Sequence, residues 1–130
     1  MKKLLSLAFV MLLAVGTAAA QTPHGILVSW ATPTIPTGGA ALAGLNLFRA
    51  TWSSSTSACG SYSQLNTAPL PGNSYLDPAS GLAVSTEYCY YATTQDVNGN
   101  LSAASNIATT TTPAAWPVNP NPPSLTLKNQ

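Results

Sequence analysis

The stretch G-L-A-V-S-T-E-Y-C-Y-Y-A-T-T-Q-D, residues 81 to 96, decides how this chain folds. Side chains alternate across an extended strand, so Tyr88, Tyr90 and Ala92 share one face and Cys89, Tyr91 and Thr93 share the other. Large groups on both faces predict a long strand with packing on both sides. The next residues, D-V-N-G-N from 96 to 100, include Asn98 and Gly99, which tolerate positive backbone dihedrals and predict a tight turn. The chain then returns through S-A-A-S-N-I-A-T-T-T-T, 102 to 112, as the second arm of a hairpin.

The same period of two recurs upstream. In G-I-L-V-S-W, residues 25 to 30, Ile26, Val28 and Trp30 fall on one face and Leu27 and Ser29 on the other. Pro33, Pro36, Gly38 and Gly39 interrupt, and A-G-L-N-L-F-R-A, 43 to 50, alternates again, with Leu45 and Leu47 opposite Asn46 and Phe48. A polar loop over Thr51–Ser57 leads to a short third strand, S-Y-S-Q-L-N at 61 to 66, and a fourth spans Asn73–Asp77 after Pro69 and Pro71. Six short strands, turn signals about every ten residues and no helical period predict an all-β fold, an antiparallel β-sandwich.

Trp30, Leu82 six residues before Tyr88, and the D-V-N-G-N-L-S turn together resemble a bacterial fibronectin type III domain, an immunoglobulin-like sandwich, over about Pro23 to Thr112. The resemblance implies that Trp30, Leu82 and Tyr88 are structural core residues. It also implies that Leu82 and Tyr88 form a tyrosine corner, in which the phenolic hydroxyl bonds back to the backbone ahead of the strand. One departure stands out: only Gln21 to His24 precede the Trp-bearing strand, so strand A is short or missing. Its loss leaves a sheet edge that must be covered, charged or paired.

The chain divides into three parts. Residues 1–20 read as a signal peptide, with Lys2 and Lys3 before an apolar run from Leu4 to Val15 that is too short to span a bilayer, and Ala18–Ala20 before a cut at Gln21. Residues 21–112 form the fibronectin-like domain. Residues 113–130 are a Pro-rich tail, extended like polyproline through Pro113, Pro117, Pro120, Pro122 and Pro123, with an apolar S-L-T-L at 124 to 127 that is able to pair with an edge. Export implies a secreted or periplasmic protein with no membrane insertion after cleavage. It also places Cys59 and Cys89, the only two cysteines, in oxidising surroundings where an even pair closes into a disulfide. A redox or metal-binding pair fits poorly, because the spacing is not C-x-x-C and no histidine ligands lie near.

Charge and residue inventory exclude several functions. The exported chain keeps Arg49 and Lys128 against Asp77, Glu87 and Asp96, a formal balance of −1. That is too few cations to displace counterions from nucleic acid or to hold an anionic membrane surface. His24 is the one imidazole, beside Pro23 and outside any G-x-S-x-G context, and reads as a solvated terminal residue. Glu87 and Asp96 bound one strand and stand about 30 Å apart at ~3.3 Å per residue, so they make no carboxylate pair. Asp96, Asn98 and Asn100 imitate a calcium loop, but Leu101 replaces its glycine and Ile107 its bidentate carboxylate. Asn100-Leu101-Ser102 has the form of a glycosylation acceptor but reads as turn. The expectation is therefore a non-catalytic protein with no cofactor and no metal. It serves as a module for protein interaction or spacing, or alternatively as a carbohydrate-binding module, with an extracellular protein or glycan as partner. Phe48 and Tyr91 are expected to form a shielded cluster on an outer face. Trp52, Tyr62 and Trp116 are the candidate contact aromatics.

Overall fold

The structure, a computed structural model, describes residues 24–117. The signal segment, its cut at Gln21 and the S-L-T-L segment at 124 to 127 lie outside the described residues. Seven strands follow in chain order: β1 (Gly25–Ser29), β2 (Leu42–Ser53), β3 (Ala58–Cys59), β4 (Ser63–Gln64), β5 (Ser74–Pro78), β6 (Glu87–Asp96) and β7 (Ala108–Thr111). One 3-10 turn, Ala79–Gly81, is the only helical element among them.

All pairing is antiparallel. β1 pairs with β5 in a two-stranded sheet, and the order β3-β2-β6-β7, with β4 also on β2, builds a five-stranded sheet. The two face each other as a β-sandwich. Phe48 opposite Tyr91 and Leu47 opposite Ala92 fix the register of the central pair, which sends Leu45, Leu47, Tyr88, Tyr90 and Ala92 inward. Leu47, Leu82, Tyr88 and Tyr90 form the buried cluster, and Ile26, Val28, Tyr75, Leu65, Leu70 and Trp116 pack against it. Leu47 is 1% exposed.

The expected third strand, 61 to 66, shortens to β4, and β3 is an additional short strand ahead of it. β2 runs on to Ser53, past the expected start of the polar loop, because Trp52 pairs with Cys59 and Ser53 with Ala58 across the Ser54–Ser57 turn. β4 pairs only at Phe48–Gln64 and Arg49–Ser63. Beyond it Asn66 replaces a ladder residue: its Oδ1 accepts the Leu47 N–H at 2.8 Å and its Nδ2 donates to the Leu45 and Ala68 carbonyls at 3.1 and 2.8 Å. Gly44 marks a bulge with φ +151°, and a Cβ there would stand 2.5 Å from the Leu70 carbonyl oxygen, so the close approach of that loop requires glycine.

Cys59 and Cys89 are joined by a disulfide, with Cα atoms 6.1 Å apart. It ties β3 to β6 across β2 on the outer face, where Cys89 stands opposite Ala50, a side chain small enough to leave room for the bridge. In the chain-entropy picture a loop of this length contributes roughly 3.5 kcal/mol.

Candidate functional site

A cleft of about 540 Å³ opens between the sheets beside β1. One wall is Val28, Ser29, Trp30 and Ala31; the floor is Leu45, Leu47, Tyr90 and Ala92; the far wall is Ser102, Ala103, Ser105, Asn106 and Ala108. Its lining contains no Asp, Glu, His, Lys or Arg. Among the described residues, no strand pairs with the other edge of β1.

The two walls differ in their backbone chemistry. On the far wall, Ser102 and Ser105 take the place of ladder residues: each N–H donates to β6, to Thr94 and Ala92 carbonyls at 3.0 and 2.8 Å, and each Oγ accepts the N–H of the same residue at 2.9 and 3.0 Å. The hydroxyls in turn donate to the Ala103 and Asn106 carbonyls. On the β1 wall the pattern is open. Trp30 N–H bonds to Asn73 and Ala79 N–H to the His24 carbonyl, which fixes the even-numbered residues as those bonded to β5. Bonded and non-bonded pairs alternate, so Gly25, Leu27 and Ser29 direct their N–H and C=O groups to the free edge.

The residues expected at the core or in contacts fall as follows. Leu82 and Tyr88 belong to the buried cluster, 7% and 6% exposed, and the Tyr88 hydroxyl accepts the Ala83 N–H at 2.9 Å. Trp30 departs from its expected core position. It lies one residue beyond the end of β1, half-buried, lining the cleft, with Nε1 donating to the Gly72 carbonyl at 3.0 Å. His24 is not a solvated end either: it is half-buried, and its Nε2 is enclosed with no hydrogen-bond partner among the described residues.

Nor are the three contact candidates free rings. Tyr62 meets Tyr91 edge-on at 4.7 Å, and Tyr91 stacks on Phe48 at 4.7 Å and 10°. Trp52 is half-buried beside Cys59 in the β2–β3 pair. Trp116, expected in an extended tail, turns back against the core cluster because Thr112 and Pro113 are held at the Ala83–Thr86 corner. There the Thr112 hydroxyl donates to the Ala83 carbonyl at 2.6 Å and accepts the Thr86 N–H.

One polar cluster went unforeseen. Arg49 donates to both Asp77 oxygens at 2.9 and 2.8 Å, the Tyr90 hydroxyl donates to Asp77 Oδ2 at 2.8 Å, and Arg49 lies over the Tyr88 ring at 5.3 Å. The group crosses between the sheets, and the Asp77 side chain is 3% exposed. Burial followed by the hydrogen bond to Asp77 drives the Tyr90 phenol far above the ordinary tyrosine range. Burial works against the Arg49 charge, but the hydrogen bonds and charge of Asp77 outweigh it and raise its pKa. The arrangement is fully occupied within itself and is suited to holding the sheets together. A signal for it existed: Arg49 has the parity of Leu45 and Leu47, and a cation on an apolar face requires a partner.

The three carboxylates remain apart. Asp77 serves Arg49, Glu87 and Asp96 bound β6, and Asp96 Oδ1 accepts the N–H groups of Asn98 and Asn100 while Oδ2 accepts Asn100 Nδ2. These bonds, led by the Asn100 side chain, hold the Asp96 carboxyl below its ordinary range. Gly99, with φ +85°, closes the turn. Among the described residues no group of three His, Cys, Asp or Glu side chains is placed to hold a metal ion, and no helix is long and apolar enough to cross a membrane. The chain matches no protein-family model, and no curated protein matches it.

Proposed function

We propose that this protein is an exported, non-catalytic module of the fibronectin type III kind, acting outside the cytoplasm of a bacterium, and that it binds an extended segment of a partner protein by strand addition at β1. The observation that carries this reading is the edge of Gly25, Leu27 and Ser29, unpaired among the described residues, above an uncharged cleft. Such an edge supplies main-chain hydrogen bonds and the cleft supplies pockets for alternate side chains. The Leu82–Tyr88 corner and the paired sheets support the family reading. The disulfide is compatible with an extracellular or periplasmic site. A glycan platform has less support, because Phe48, Tyr91 and Tyr62 pack on one another.

The test is a panel of extended peptides that alternate Leu or Val with Ser or Thr, followed by the fluorescence of Trp30 at the cleft rim. Binding is expected, and Ala103→Arg, which fills the mouth of the cleft, is expected to weaken it at least tenfold. Retardation of the protein by polysaccharides in affinity electrophoresis, with no response to any peptide, would replace this reading with the glycan one.

A further inference from the structure

We propose that Asn98 is a site of spontaneous covalent modification, made so by the turn it stands in. The Gly99 main-chain nitrogen attacks the Asn98 side-chain carbonyl carbon. That C–N bond forms, the bond to the amide nitrogen breaks, and ammonia leaves with the proton given up by Gly99. Water then opens the cyclic imide at either carbonyl and leaves aspartate or isoaspartate at position 98. Water is the only co-reactant, nothing is oxidised or reduced, and the chemistry does not depend on β1 accepting a strand.

Three features converge on this one junction. First, the turn requires glycine at 99. Gly99 has φ +85°, in the left-handed region that other residues rarely adopt. A Cβ built there meets nothing closer than Gln95 Nε2 at 4.0 Å, so backbone conformation and not crowding selects glycine. The same missing side chain leaves the attacking nitrogen unshielded. Second, the Asn98 side chain is exposed and makes no hydrogen bond among the described residues; only its main-chain N–H is held, by Asp96 Oδ1 at 2.9 Å. Its carboxamide is free to turn toward the next residue. The Gly99 N–H is tied to the Asp96 carbonyl at 3.0 Å, one bond at an exposed hairpin tip, where local opening is easy. Third, the other asparagines among the described residues each lack one of these conditions. Asn46 is 6% exposed with its Nδ2 bound to Gln95. Asn66, Asn73 and Asn100 have their Nδ2 engaged by carbonyl, hydroxyl and carboxylate oxygens. Asn106 is exposed but precedes Ile107, whose branched side chain crowds the nitrogen.

The product alters the hairpin in two ways. Either form adds a negative charge beside Asp96, whose carboxyl the turn already holds in its ionised form. Isoaspartate does more, because the main chain then runs through the former side chain and gains one atom. Asp96 Oδ1 gathers the N–H groups of Asn98 and Asn100, and the Asp96 N–H donates to the Asn100 carbonyl at 3.0 Å. An atom inserted between Asn98 and Asn100 breaks that set of bonds. The disturbance reaches Ser102, whose N–H and Oγ hold the far wall to Thr94, so the wall of the cleft loosens from that end. The reaction is irreversible in water and accumulates with the age of the molecule.

Ageing the chain of residues 21–130 in neutral buffer at 37 °C, beside a free peptide of residues 94–102, tests this. Peptide mapping is expected to find a gain of about 1 Da at position 98 before any other asparagine changes, with aspartate and isoaspartate both present. The rate is expected to lie within about tenfold of the free peptide, since the turn opens locally. In water labelled with heavy oxygen the gain becomes about 3 Da, because one oxygen of the new carboxylate comes from solvent. A slower rate than that, a first change at another asparagine, or a gain without solvent oxygen overturns the inference. Asn98→Ser keeps a residue suited to the turn and removes the carboxamide, so an acidic species forming from it at the parent's rate also overturns it. Freshly prepared Asn98→Asp carries the charge without the added atom. The Thr94 and Ser102 amides are expected to exchange hydrogen at least tenfold faster in the isolated isoaspartate form than in that variant; equal exchange overturns the loosening of the wall.

Discussion

The two sheets are written in the same alternating pattern, yet they bury it unequally. β2 and β6 pair at nine positions, and β2 alone places Gly44, Leu45, Asn46, Leu47 and Ala50 fully inside. β1 and β5 pair at five positions, and no residue of β1 is fully buried. Alternation fixes which face a side chain takes, whereas burial depends on how many neighbours cover that face and both flanks of the strand. β2 has partners on both sides, a packed core beneath and the disulfide and aromatic stack above. Among the described residues β1 has one partner and one open flank.

Substitutions that target each side should widen or narrow this contrast. Leu47→Ala removes the most enclosed aliphatic side chain and is expected to destabilise by about 3 to 5 kcal/mol in urea unfolding, because the centre of the large sheet cannot collapse around the void. Asp77→Ala leaves Arg49 facing the core without its partner. The expected loss is about 2 to 3 kcal/mol, below the ~3 to 5 of a fully buried pair, since Arg49 at 23% exposure regains some water. Tyr88→Phe leaves the Ala83 N–H unpaired and should cost about 1 kcal/mol. Leu27→Ser, on the open flank, should change stability by less than about 0.5 kcal/mol. A loss of 2 kcal/mol there would mean that the small sheet is covered as deeply as the large one.

The same network predicts a response to alkali. Because the Tyr90 pKa is raised in the folded state, its contribution is complete below the ordinary tyrosine value of 10 and is lost as pH rises beyond it, when only the unfolded chain releases the proton. Tyrosine ring-carbon NMR should find Tyr90 still protonated at pH 10.5, and the unfolding midpoint should fall above that pH. A Tyr90 that ionises at the ordinary value would place its hydroxyl in water instead of against Asp77.

Much of this was legible in the sequence for a physical reason. Period-two alternation at Ile26 to Ser29, Leu45 to Phe48 and Tyr88 to Thr93 reports the faces of strands directly, and the tyrosine corner that the resemblance implied for Leu82 and Tyr88 anticipates the hydroxyl bond to Ala83. Long-range and side-chain-made features were hidden. Asn66, Ser102 and Ser105 act as ladder residues through their side chains, and no periodicity marks that. Trp30 has inward parity, but parity says nothing of where the sheet ends, and the ring falls on its rim. Trp116 lies between prolines that suggest an extended course, Pro113 before it and Pro117 after it, while the anchor that turns it inward is Thr112, an unremarked residue at the end of a threonine run. The cleft could not be read at all, since it lies beside an edge of β1 that no described strand pairs.

The serine hydroxyls on the far wall have an effect beyond closing their own strand. Were a strand to add at β1, as proposed, it would meet free backbone groups on one lip and side-chain-occupied ones on the other, so its register would be set by β1 alone. Shifting that grip by a single position would turn the guest inside out, presenting its hydroxyls to the core and its leucines to water. Under the proposed strand addition, discrimination between a matched sequence and one offset by one residue would follow from the asymmetry of the opening, without a single charge being involved.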